Sequence, residues 1–101
     1  MVALDFDARS RRLSVSGACS SQDCPRIVEA MESLADLAQA LVLDLSPLSS
    51  LPLEAAAALV QACRELEQDG LRVSVSVIDD HPVTRRWRVA QAQLGTPKSG
   101  E

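Results

Sequence analysis

The chain has 101 residues, 47% of them hydrophobic and 24% charged, a size and balance suited to one domain around one core. A net charge of −4 argues against nucleic acid as a partner, because a phosphate-binding surface must be cationic. No apolar run is long enough to span a bilayer, the first residues carry Asp5 and Asp7 instead of a leader's apolar stretch, and three cysteines are an odd number for a disulfide framework.

The expectation from these features is a reduced, cytoplasmic protein with no direct membrane insertion. Its core must rely on Leu, Val and Ala, because Phe6 and Trp87 are the only aromatics. Val2, Leu4 and Phe6 alternate with Ala3, Asp5 and Asp7, which predicts a half-buried strand with those three residues facing the core. A turn over Ala8 to Arg11 leads to a second strand, where Leu13, Val15 and Gly17 alternate with Ser14 and Ser16. Ser20, Ser21 or Asp23 can cap the helix that follows, and Pro25 suits its first turn. Ile27, Ala30, Met31, Leu34, Ala35 and Ala38 recur at helical spacing.

Ala40 to Leu45 is nearly all apolar and predicts a central strand covered on both faces. Ser46 to Leu51 is expected to be a loop. Pro52 and Glu54 then mark the start of a second helix, where an acid favours the helix dipole. Ala56, Leu59, Val60, Cys63 and Leu66 are its buried stripe, and Asp69-Gly70 is its stop. Leu71, Val73, Val75 and Val77 alternate as a fourth strand. Val83, Trp87, Ala90 and Leu94 share one stripe of a third helix, and 95–101 is expected to be a disordered polar tail beyond a single domain spanning 1–94.

The element order β-β-α-β-α-β-α predicts an α/β fold. Right-handed crossovers between neighbouring strands place both crossover helices on one side. The polar residues that alternate along three of the strands leave the other side open. The expected architecture is a four-stranded mixed sheet, order 1-2-3-4, with the first strand antiparallel and helices mainly on one face.

Two motifs carry a resemblance. Leu13-Ser14-Val15-Ser16-Gly17-Ala18-Cys19-Ser20 is similar to L-x-V-x-G-x-L-D at the end of a second strand, and Val42-Leu43-Asp44-Leu45-Ser46-Pro47-Leu48 is similar to V-x-D-L-S-x-V. With this element order the chain resembles a STAS domain, the family of anti-sigma factor antagonists and of related transporter domains. The family's Asp-Ser-Ser-Gly or Asp-Thr-Ser-Gly at the start of helix two falls on Pro52, Leu53, Glu54 and Ala55 when counted from Asp44 without a gap. Leu53 occupies the phosphoacceptor position and has no hydroxyl, so phosphorylation at the family's usual site is lost. Ser20 likewise stands where the second-strand motif ends in Asp. Glu54 is either an ordinary helix-start acid or an imitation of a phosphorylated residue.

What the resemblance implies is a non-catalytic module that docks a protein partner, either an anti-sigma factor or another serine-kinase-type regulator. The expected surface is the junction between strand three and helix two: Ser46, Leu48, Ser49, Ser50, Leu51, Pro52, Leu53, Glu54 and Ala55. Leu48, Leu51, Pro52 and Leu53 are expected to expose apolar surface there. Ser49 and Ser50 are alternative phosphoacceptors, weighed against a plain loop and capping role. Two other functions stay open: a regulatory subunit bound to the ATPase of a membrane lipid transporter, and a small-ligand binding domain with its pocket beside the carboxyl end of strand three. An enzyme is the least supported class. His81 has no nucleophile motif beside it, and Asp44 reads as an acceptor of loop amides. The cysteines form neither a zinc spacing nor a redox motif and read as core residues. Arg85, Arg86 and Arg88 read as a solvated helix face. No cofactor or metal is expected, and the oligomeric expectation is a monomer or weak homodimer.

Overall fold

The structure, a computed structural model, describes residues 2–36 and 39–95. The alternating residues near the start form β1 (Val2–Asp7) and β2 (Arg12–Ala18), paired antiparallel from Val2↔Gly17 to Asp7↔Arg12. A short turn of 3-10 helix (Ser21–Asp23) leads into α1 (Cys24–Ala35). The Asp23 carboxylate accepts both the Ser20 amide and the Ser20 hydroxyl at 2.9 Å, which ties the end of β2 to the start of α1. Then come β3 (Ala40–Asp44), β4 (Leu48–Ser50), α2 (Leu53–Gln68), β5 (Arg72–Ser76) and α3 (Pro82–Gly95).

The fold is α/β, a mixed sheet of five strands with three α-helices. The longer strands lie side by side in the order β1-β2-β3-β5, with β2, β3 and β5 parallel and β1 antiparallel. The expected four strands are corrected by β4. This strand pairs parallel with the end of β2, at Gly17↔Leu48 and Ala18↔Ser50. The β2–β3 ladder runs only from Arg12↔Val42 to Ser14↔Asp44, so the last backbone groups of β2 need another partner and β4 supplies it.

Lateral partners share a face of the sheet. Leu13, Leu43 and Val75 form one row of the apolar face, and Leu41 and Val73 belong to the next. Ser14, Asp44 and Ser76 form a row on the opposite face. The apolar rows join Ile27 and Met31 of α1, Leu59 and Leu66 of α2, and Val83 and Trp87 of α3 in one core. The first strand departs from expectation at Phe6, which is 38% exposed, whereas Val2 is buried and Leu4 half-buried. Phe6 lies at the outer end of an edge strand, beyond the cover of the helices.

α2 stops as its sequence requires. Gly70 has φ of 99°, the Leu71 amide reaches the Leu66 carbonyl at 3.1 Å, and the Gly70 amide reaches that of Glu67 at 3.0 Å. Those two bonds close the left-handed C-terminal motif, and Leu71 and Leu66 are both buried beneath it. Among the described residues no helix is long and apolar enough to cross a membrane. Ala38, the burial of Leu94 and the tail from 96 to 101 lie outside the described residues, while Gly95 closes α3.

Candidate functional site

The junction between β3 and α2 is built by a polar turn, a short strand and a helix start at Pro52. Asp44 ends β3, and the Leu45 amide continues the ladder to the Ser76 carbonyl at 2.8 Å. The Leu48 amide then turns back to the Leu45 carbonyl at 3.1 Å. The Asp44 carboxylate accepts the Ser46 amide at 3.0 Å and also the Ser46 hydroxyl, while Arg12 donates to its other oxygen at 3.0 Å. Burial works to raise the Asp44 carboxyl, but the bonds from Ser46 and Arg12 outweigh it and hold the group below the usual carboxylate range. Asp44 therefore accepts one loop amide, that of Ser46, and it stays ionised.

Beyond the turn, β4 docks on β2, and the Cys19 amide reaches the Ser50 carbonyl at 3.1 Å. Pro52 is extended (φ −66°, ψ 152°), and its carbonyl accepts the Ala56 amide at 2.9 Å to start α2. Arg86 of α3 donates to the Leu51 carbonyl at 3.1 Å. Arg86 thus does more than cover a solvated face, because it fixes the approach to α2. Arg88 lies 3.9 Å from Asp79, an exposed pair of little energetic weight.

This framework divides the expected surface in two. Leu48 and Leu51 are 2% and 0% exposed, so the expectation that they present apolar surface is corrected. Both side chains join the core because β4 is pinned to the sheet and carries them inward. Ala55 is buried as well. Ser49, Ser50, Leu53 and Glu54 are exposed, while Ser46 and Pro52 are half-buried. Leu53 is the first residue of α2 and one of the few large apolar side chains left open, at 38%.

A solved structure described as a crystal structure of Mglu shares this fold. It superposes with a TM-score of 0.63 at 17% identity, over 78% of this chain and 20% of that one. The chain thus spans 20% of the length of the solved chain it matches, and the likeness concerns the fold alone. No family model matches the chain. No curated protein matches it.

Two features of the site region escape sequence reasoning. Ile78, 48% exposed, follows β5 at the end of the sheet that carries the Asp44 turn, and its carbonyl accepts the Thr84 hydroxyl. The available signal was the adjacent apolar pair Val77-Ile78, which breaks the alternation just before Asp79-Asp80. The second feature is the meeting of Cys19 and Cys24. Both thiols reach the same acceptor, the Ser20 carbonyl, at 3.6 and 3.8 Å. Cys24 also reaches the Ala55 carbonyl in the first turn of α2, at 3.7 Å.

Burial, then the neighbouring Cys24 and Asp23, pushes the Cys19 thiol up to about 11. Burial also raises Cys24. Cys63, on the buried face of α2, is pushed up to about 12 by burial and then by Glu67. These are thiols held in the protonated form, which is a poor nucleophile. His81 Nδ1 accepts the Val83 amide at 3.1 Å, so the imidazole serves the start of α3. Among the described residues no group of three or more His, Cys, Asp or Glu is arranged to hold a metal ion. A cleft of about 470 Å³ lies between α2, β5 and α3, floored by Val73, Val75 and Val77 and edged by Arg64 and Arg88.

Proposed function

We propose that this chain is a non-catalytic protein-interaction module of STAS type, docking a partner through the β3–α2 junction. The partner class is a serine-kinase-type regulator such as an anti-sigma factor. The observation that carries the reading is the exposure of Leu53 at the first residue of α2, on a junction held by the Asp44–Ser46 bonds and the Arg86 bond to Leu51. An apolar side chain held open on a rigid support can enter a partner's pocket at little entropic cost. Ser49, Ser50 and Glu54 are exposed polar residues of the same junction. The order β1-β2-β3-β5, with helices over the apolar face, is consistent with the STAS resemblance drawn from the Asp44-Leu45-Ser46 motif.

Leu53 cannot accept a phosphate. Docking is therefore set by partner concentration or by a second modification rather than by the family's usual switch. Titration calorimetry of the purified chain against a serine-kinase-type anti-sigma factor tests the reading. Saturable binding that Leu53→Asp weakens supports it. Binding that is absent, or that Leu53→Asp leaves unchanged, overturns it. Binding instead to the ATPase subunit of a lipid transporter would favour the transporter alternative.

A further inference from the structure

At the cap that joins β2 to α1, the thiols of Cys19 and Cys24 converge on one oxygen, the Ser20 carbonyl, at 3.6 and 3.8 Å. We propose that Cys19 and Cys24 are a reversible disulfide-forming pair, oxidised by a peroxide, and that the bond frees the first turn of α2 from its thiol contact. The spacing in sequence hides the pair, because neither a Cys-x-x-Cys nor a metal pattern is present. The 3-10 turn over Ser21–Asp23, locked by the Ser20–Asp23 bonds, brings the two side chains together. Cys63, buried on α2, serves as the internal control.

The chemistry balances with hydrogen peroxide as the oxidant. One thiolate attacks the peroxide, forming an S–O bond as the O–O bond breaks, which leaves a sulfenic acid and one water once the proton is counted. The second thiolate attacks that sulfur, the S–S bond forms, and the sulfenic oxygen leaves as a second water. Each sulfur loses one electron, the peroxide gains both, and the two thiol protons end in the waters. Burial keeps both thiols protonated, so the step is slow at neutral pH and responds to sustained rather than brief oxidation. A bond closing so short a loop restrains the unfolded chain little, which suits a reversible link better than a structural staple.

In the reduced protein the single Cys24 S–H is shared between the Ser20 and Ala55 carbonyls, at 3.8 and 3.7 Å. A disulfide carries no S–H, so the contact with Ala55 is lost on oxidation. The thiol pair stands whether or not the docking reading above holds, because its test involves no partner.

The test is peptide mapping by mass spectrometry of the unaltered, folded chain after incubation with hydrogen peroxide, with free thiols alkylated. The expected product is an internal Cys19–Cys24 bond, with Cys63 alkylated and the bond reversed by dithiothreitol. A bond to Cys63, a bond only between molecules, or oxidation to sulfinic acid with no internal bond overturns the proposal, as does no reaction. Cys63→Ser should give the same internal bond. Hydrogen exchange on the oxidised chain should be several-fold faster in the first turn of α2 (residues 53–58). Unchanged exchange there overturns the link to α2.

Discussion

Arg86 of α3 donates to the carbonyl of Leu51, two residues before α2, at 3.1 Å. One helix thus fixes the position at which another begins. The Leu51 side chain is fully buried, so its backbone is held from both sides. Arg86→Met keeps the apolar stem and removes the donor. We expect a loss of about 1 kcal/mol, the scale of one partly exposed hydrogen bond. Urea denaturation should show a lower midpoint with an unchanged slope.

Leu51 and Leu53 stand two positions apart and should behave oppositely. Leu51→Ala opens a core cavity and should cost about 2–5 kcal/mol. Leu53→Asp should change stability by no more than about 0.5 kcal/mol, as a surface change does. It should nonetheless weaken partner binding about tenfold or more if Leu53 is an anchor. Thermal unfolding and calorimetry on the same two variants separate the roles.

Asp44 makes stability depend on pH. Its folded carboxyl is held below the usual range, against an unfolded value of about 3.9. The contribution is therefore fully present above the unfolded value and is lost as pH falls through the folded one. Asp23 shifts in the same direction, chiefly through the bond from Ser20, and follows the same rule. Asp44→Asn should lower stability at pH 7 and flatten the decline between pH 5 and pH 2, roughly the window in which carboxylates gain protons. Urea titrations across that range check it.

Gly70 is at φ 99°, and nothing lies within 4 Å of where a Cβ would sit. Gly70→Ala therefore meets no clash, and its cost is purely that of the left-handed backbone, about 1 kcal/mol. Thermal unfolding should show the loss with native circular dichroism retained.

Much of the architecture is written in local pattern. The alternation of Leu13 and Val15 with Ser14, and of Val73 and Val75 with Ser74, marks the strands and the face each buries. Gly70 marks the end of α2 because a left-handed residue is a local requirement. β4 was not legible for the opposite reason. Leu48-Ser49-Ser50 is too short to show a period, and its reason for being a strand is the unpaired end of β2, some thirty residues earlier. The burial of Leu48 and Leu51 follows from that distant pairing, so a loop reading left them outside. At the candidate site, the bond from the Ser46 amide was legible in Asp44 because it spans two residues, whereas the Arg86 bond to Leu51 joins residues 35 apart and depends on tertiary placement.

Ser49 and Ser50 belong to a strand paired with β2, and the Ser50 carbonyl holds the Cys19 amide at 3.1 Å. A protein kinase must bring an acceptor hydroxyl in line with a γ-phosphate and against its own catalytic carboxylate. A residue knitted into a sheet meets that demand only while its strand is detached. Phosphate transfer to Ser50 would therefore be gated by the opening of β4, and its rate would follow the same equilibrium as solvent exchange of the Cys19 amide.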